Sequence, residues 1–310
     1  MTYPTESFNA SAAALKFGKS PYLQAVSEIL TVRQLNRRLE IAEAYKILYG
    51  RDLVDDLTKK LFHQLKDVYE AYMTPLADYF AKGLHHAMDG LGTDEVTLME
   101  ILFTLSNEVI KSTAASYEKL YNRSLESDVI DDTSGGFKSL LCMTINGSRN
   151  ENQIISSYWA THYALDLFMD DESIKTSEDR FTTILGTCSF KELKQIFIEY
   201  NEISGHSIEK AIKSKHFSRD LEMGLLQIVQ IAKSKTGYFA KRLHDSFGFL
   251  YNNDCTLIRI IVTRREIDLQ DIKKQFKEHY GKELRTMIAT LLFDFFKYLN
   301  IMNRSLTFSP

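Results

Sequence analysis

The sequence predicts an all-α protein built from four like units, and three observations carry that reading. Only 14 glycines and four prolines punctuate the 310 residues, too few for the many turns of a sandwich or barrel and well suited to helices, whose interiors disfavour both. Apolar residues recur at i, i+3 and i+4, as in Leu57, Leu61, Phe62 and Leu65, or Leu225, Ile228, Val229 and Ala232, which is the buried stripe of an amphipathic helix. Two independent markers also repeat with one period. Apolar runs ending in Thr31, Thr104, Thr187 and Thr263 are separated by 73, 83 and 76 residues, and the aliphatic positions Leu53, Leu125, Ile208 and Leu284 by 72, 83 and 76. A shared period of this length means an internal fourfold repeat, each unit a small bundle of several short helices.

The units follow in order. Residues 1–75 form the first, 76–145 the second, 163–236 the third and 237–310 the fourth. Within each, an aromatic pair follows the threonine: Tyr45 and Tyr49, Tyr117 and Tyr121, Phe197 and Tyr200, Phe276 and Tyr280, spaced to meet on one helix face. The longer second spacing calls for an insertion of about ten residues, and the polar stretch Asn146 to Asn152 with its Gly147-Ser148 supplies it. Residues 146–162 are therefore read as a connector between two pairs of repeats.

Charge and cysteine usage narrow the function. Thirty-eight basic against 41 acidic side chains, a net charge of −3, give no overall basic field to recruit nucleic acid. Cys142, Cys188 and Cys255 are odd in number and far apart, which argues against a disulfide framework or zinc site and for a reducing, cytoplasmic setting. No stretch approaches eighteen apolar residues and Met1 to Phe17 has no leader pattern, so any membrane contact is expected to be peripheral. A GxSxG, a P-loop and a strand-borne GxGxxG are all missing, leaving an enzyme reading without support.

The chemistry concentrates in the second repeat. Met88-Asp89-Gly90-Leu91-Gly92-Thr93-Asp94-Glu95 has two glycines one residue apart, which allow a tight turn with exposed carbonyls, and Thr93 is placed to cap a helix beginning at Asp94. Forty residues beyond Gly92, Asp132 stands in a second turn, Asp131 to Gly136. Carbonyls of Met88, Gly90 and Gly92 with both oxygens of Asp132 make five hard ligands, which suits Ca²⁺ with its six to eight oxygens and leaves room for a water or an external phosphate. The alternative is a plain helix-helix turn with Asp132 as an N-cap.

These residues resemble those of the annexins. The four repeats, Gly90-Leu91-Gly92-Thr93-Asp94-Glu95, Asp132-Thr133-Ser134-Gly135, Tyr49-Gly50-Arg51-Asp52-Leu53, and Thr256-Leu257-Ile258-Arg259 with Glu266-Ile267-Asp268-Leu269 carry the resemblance across nearly the whole chain. Weak calcium motifs in the other repeats make it most similar to the divergent protist alpha-giardin branch. The resemblance implies four annexin-like repeats of about five helices each in a slightly curved disc, no enzymatic activity, and calcium-dependent binding to acidic phospholipid such as phosphatidylserine. It further implies a peripheral position at the inner face of the plasma membrane, a link to a cytoskeletal protein, and a chain monomeric in solution. A scaffold that keeps the fold mainly for protein contacts is the alternative.

The family's calcium pattern survives whole only in repeat two. Repeat one has Lys16-Phe17-Gly18-Lys19 in the turn and Lys60 at the acidic position; repeat three has Ser173-Ile174-Lys175-Thr176 and, for the acid, Lys213-Ser214-Lys215-His216; repeat four has Phe247 to Asn252 and Leu291. Leu91 is expected to reach the acyl boundary. Lys16, Lys19, Lys60, Lys175, Lys213 and Lys215 are expected to offer fixed positive charge where the ion is lost. The apolar segments of repeat four are expected to pack together and cap it. The arginine that the family keeps after each apolar run survives as Arg33 and Arg264 and becomes Leu105 and Cys188 in repeats two and three; the resemblance implies that it bonds helix-end carbonyls. His85-His86 reads as structural, and Trp159 with Tyr158, Tyr163 and Phe168 as aromatics docking the connector on the core.

Overall fold

The structure, a computed structural model, describes residues 32–59, 63–90, 92–152, 156–169, 174–248 and 254–291. Among these it contains seventeen α-helices and no strand. In chain order they are α1 (Leu35–Tyr49), α2 (Leu53–Thr58), α3 (His63–Met73), α4 (Leu76–Met88), α5 (Glu95–Thr104), α6 (Asn107–Tyr121), α7 (Leu125–Asp132), α8 (Gly135–Ile145), α9 (Ser157–Phe168), α10 (Ile174–Thr187), α11 (Phe190–Ser204), α12 (Ile208–Ser214), α13 (Arg219–Lys233), α14 (Lys235–Ser246), α15 (Asp254–Arg264), α16 (Leu269–Tyr280) and α17 (Leu284–Leu291). Helices α4 to α8 and α9 to α13 are two successive sets of five.

Local chemistry sets the repeat. Helices α1, α6, α11 and α16 each end on a left-handed residue, Gly50, Asn122, Gly205 and Gly281, with φ of 63°, 55°, 70° and 68°. Glycine or asparagine is needed there because other side chains strain in that conformation, and the reversal closes the helix end. The next short helix then starts on a side-chain cap: Asp52 for α2, Ser124 for α7 and Ser207 for α12 each accept a backbone N–H one turn on. The aromatic pairs meet as spaced, with ring centres 4.8 Å apart for Tyr45 and Tyr49, 4.9 Å for Tyr117 and Tyr121, and 5.2 Å for Phe276 and Tyr280. In the third repeat Tyr200 instead meets Phe168 of α9 at 6.4 Å.

The chain forms two compact units, one from residues 1–75 with 239–310, the other from 76–238. In the second, α5 is buried on every side from Thr97 to Thr104; α8 and α13 pack on it, and α4 with α6 and α9 with α11 form flanking pairs. The stretch Asn146 to Asn152 lies within this unit. In the first, α15 plays the part of α5, buried from Thr256 to Arg264, and packs on α3.

Three expectations change. Tyr158 and Trp159 do not dock on the core, being 72% and 51% exposed, whereas Phe168 keeps a ring contact with the buried Tyr200 and Tyr163 is half-buried; α9 turns Ala160, Ala164 and Leu167 inward. Arg264 does not bond helix-end carbonyls but grips the Asp268 carboxylate, Nε to Oδ1 at 2.8 Å and Nη2 to Oδ2 at 2.6 Å. In the second unit the helix-end carbonyls are taken by bases from elsewhere in the chain. Arg149 donates to Cys188 O at 2.7 Å and Leu185 O at 3.0 Å at the end of α10, and Lys235 donates to Thr104 O at the end of α5. The third change, at Thr93, belongs to the site below. The lysines Lys16, Lys19 and Lys60, Leu91, and the repeat-four apolar positions from Phe249 to Tyr251 and beyond Leu291 lie outside the described residues.

Candidate metal centre

The Met88 to Asp94 turn joins α4 to α5, and its shape depends on glycine. Gly90 has φ 117° and Gly92 φ 91°, and a methyl at either would meet nothing within 4 Å, so backbone conformation rather than space demands glycine there. The turn is closed at its base by Asp94 N–H donating to Ala87 O at 2.8 Å. Asp94, not Thr93, caps α5, its carboxylate accepting Thr97 N–H at 3.0 Å. That releases Thr93, whose hydroxyl donates to Asp132 Oδ2 at 2.7 Å. Two turns forty residues apart in the chain are thereby joined.

Asp132 is the last residue of α7 and does not cap α8, which starts on Ser134. The other two aspartates of this segment have protein partners. Tyr117 Oη donates to Asp128 Oδ2 at 2.5 Å, Arg123 Nε lies 2.6 Å from Asp128 Oδ1, and Arg123 Nη2 lies 2.8 Å from Asp131 Oδ2. Asp128 is thus engaged through both oxygens, and Asp131 through one. Asp132 gives up one hydrogen-bonding site to Thr93, and a carboxylate keeps about three more lone-pair sites for other partners. Burial, then the Asp128 acceptor, push the Tyr117 phenol well above the usual tyrosine range, so it stays a neutral donor at physiological pH.

Among the described residues no group of three or more His, Cys, Asp or Glu side chains converges to hold a metal. The donors at this end of the repeat are instead backbone carbonyls of an exposed turn and one carboxylate. That all-oxygen set fits a hard cation such as Ca²⁺ and not a transition metal, which favours imidazole or thiolate. His85 is committed elsewhere: its ring stacks on Tyr121 at 3.7 Å and its Nδ1 lies 3.2 Å from Tyr117 Oη. Of the expected ligands, the structure places Met88, Gly90 and Gly92 on one turn and brings Asp132 to it through Thr93. Lys175 is exposed in the first turn of α10 and Lys215 is half-buried after α12. Only the forty-residue spacing signalled the Thr93 contact; the Arg149 and Lys235 latches had no sequence signal, since they join segments distant in the chain.

Comparison with known proteins follows the same lines. A family described as Annexin matches residues 79–144, 171–228 and 238–297. The chain is 39% identical over 265 residues to Annexin A6 of Gallus gallus, covering 85% of this chain, and spans only 39% of that relative's length. Among solved structures, annexin III superposes with a TM-score of 0.92 at 33% identity, over 100% of this chain and 97% of the other. The giardin branch shares the fold at a greater distance: the calcium-bound structure of alpha-14 giardin has a TM-score of 0.80 over 97% of this chain and 99% of that one, at 18% identity, below annexin III on both measures.

Proposed function

The chain belongs to the annexin family, and from that premise we propose that it attaches peripherally to acidic phospholipid membranes, with Ca²⁺ as the bridge at Met88, Gly90, Gly92 and Asp132. Annexins generally bind phospholipid in a calcium-dependent way and are not enzymes. Among the described residues no helix is long and apolar enough to cross a membrane, in keeping with attachment from one side. The observation that carries the reading is the 2.7 Å bond from Thr93 to Asp132, which sets the acidic ligand against the glycine turn.

Each residue has a role in this reading. Gly90 and Gly92 let the backbone turn so that its carbonyls can serve as ligands, Thr93 holds Asp132 in place, and Asp132 contributes the negative charge. Calcium supplies a cation with unfilled positions for headgroup oxygens. Leu91, between the glycines, adds an apolar contact with the acyl boundary. One such site gives weak, reversible attachment, since avidity grows with the number of sites engaged at once. The proposed setting is the inner face of the plasma membrane, next to a cytoskeletal partner. The exposed Tyr158 and Trp159 on α9 support a second reading, a scaffold that works chiefly through protein contacts.

Co-sedimentation with phosphatidylserine vesicles tests both. The chain should pellet with calcium and stay in solution at physiological salt in chelator, and Asp132→Ala should lose most of the calcium-dependent fraction while melting like the wild type. A scaffold would stay in the supernatant in every condition. Unchanged calcium binding by Asp132→Ala in calorimetry would refute the assignment of the ligand.

A further inference from the structure

The turn that holds Asp132 has a counterpart of opposite charge in the same unit. Residues 127–136 carry three aspartates and no base, whereas the matching stretch one repeat on, 210–219, carries Lys210, Lys213, Lys215, His216 and Arg219 and no acid. Lys215 stands where Asp132 stands. The basic turn is firmly built. His216 takes a left-handed φ of 54°, uncommon for a residue with a side chain. Phe217 is buried with its ring 5.4 Å from Phe181 of α10. Ser218 then caps α13 by accepting Leu221 N–H. Lys210, Lys213, His216 and Arg219 are exposed around this plug.

Described acids also stand beside this turn: Glu178 of α10 reaches the junction of Gly136 and Leu221, its Oε2 3.4 Å from where a methyl on Gly136 would sit. Glu209 is engaged by Lys233, and Asp220 and Glu222 lie in the first turn of α13; Asp170, Asp171 and Glu172 are outside the described residues. The two turns are also close together. Gly136, four residues after Asp132, packs so tightly on Leu221, six after Lys215, that a methyl on Gly136 would lie 2.7 Å from Leu221 Cδ2. The starts of α8 and α13 therefore meet, and the acidic and basic turns open side by side at one end of the unit.

We propose that the α12–α13 turn is a phosphate-binding site that needs no calcium. Repeat two must recruit a cation to hold an anionic oxygen; repeat three supplies the cations covalently. The ligand is a phosphate monoester or diester, and only the choice of a lipid headgroup as its source rests on the membrane reading. Fixed charge of this kind is worth about fivefold in affinity for each basic residue near an anionic surface, and it is screened by salt, which calcium coordination is to a far smaller extent.

The test uses the full chain in chelator with vesicles of phosphatidylcholine and phosphatidylserine at about 20 mM salt, where the Debye length exceeds 20 Å. The wild type should sediment, release as salt rises to about 150 mM, and bind on the order of twentyfold more weakly as the Lys210→Gln/Lys213→Gln double variant. Both lysines are exposed, so the variant should melt like the wild type. Asp132→Ala should leave this chelator-resistant binding intact, and the double variant should keep its calcium-dependent increment, so the two sites succeed or fail separately. Calorimetric titration with inorganic phosphate identifies the source: heat lost in the double variant, without vesicle binding in chelator, assigns the site to a soluble phosphate. A wild type that binds neither vesicles nor inorganic phosphate in chelator, or a double variant that binds vesicles as well as the wild type, overturns the proposal.

Discussion

At Gly92 a single methyl group should separate calcium binding from folding. The residue sits at φ 91° in an exposed turn with open space around it, so Gly92→Ala meets no clash and suffers only backbone strain of about 1–3 kcal/mol. Because the turn can relax locally, that strain should appear as calcium affinity lowered on the order of five- to a hundredfold in calorimetry, with the melting temperature nearly unchanged; equal affinity would mean that this turn is not the ligand frame. Tyr117 makes a second prediction at this scale. Burial and the Asp128 carboxylate raise its ionisation above the ordinary tyrosine value, and Tyr45, Tyr121 and Tyr280 shift the same way. A group whose ionisation is raised on folding contributes stability that is complete below its unfolded pKa of about 10 and is lost as pH climbs towards the folded value. The melting temperature should therefore hold through neutral pH and fall above about pH 10. Tyr117→Phe should cost about 1 kcal/mol at pH 7 for the lost hydrogen bond and show a shallower alkaline decline. A decline as steep as the wild type's would remove Tyr117 from this account.

Among helices, the unexpected feature is how α10 ends. Arg149, in the polar stretch after α8, is 8% exposed, lays its guanidinium over Phe190 at 4.4 Å and satisfies the carbonyls of Leu185 and Cys188. Burial pushes its pKa down to about 10, still high enough to keep it charged at neutral pH. Cys188 occupies the position where the family has an arginine, so the connector supplies from outside the helix what the helix itself lacks. Lys235, just after α13, does the same for Thr104 at the end of α5, where Leu105 stands in the arginine's place. The segment following each repeat's last helix thus caps the buried helix of the other repeat in the unit. Arg149→Ala should leave two buried carbonyls without donors and cost about 2–4 kcal/mol in urea denaturation, with Arg149→Lys intermediate, because an ammonium lacks the fork that reaches both oxygens. A loss below about 0.5 kcal/mol would show that water satisfies those carbonyls just as well.

Across the whole molecule, what could be read from the sequence was what repeats. The period in Thr31, Thr104, Thr187 and Thr263 and the aromatic pairs reflect local helix geometry four times over, and the structure adds a third series with the same spacing in its left-handed caps at residues 50, 122, 205 and 281. The glycine turn was legible because glycine at positive φ leaves a mark in sequence. Contacts between segments distant in the chain leave none, which is why Thr93 reads as a cap in sequence, Arg149 carries no signal and the outward face of α9 reads as core. The same asymmetry governs the last prediction. The unit spanning residues 76–238 is one continuous stretch, whereas the other is assembled from both ends of the chain. The continuous unit holds its own buried helix α5, both latches Arg149 and Lys235, the Met88 to Asp132 site and the basic turn, and its length is that of an ordinary domain. Expressed alone, residues 76–238 should unfold in a single cooperative transition and bind calcium within about threefold of the full chain, the context-dependence expected of a single interaction. A fragment that melts without cooperativity, or that folds but has lost calcium binding, would show that the site draws on residues outside its own unit.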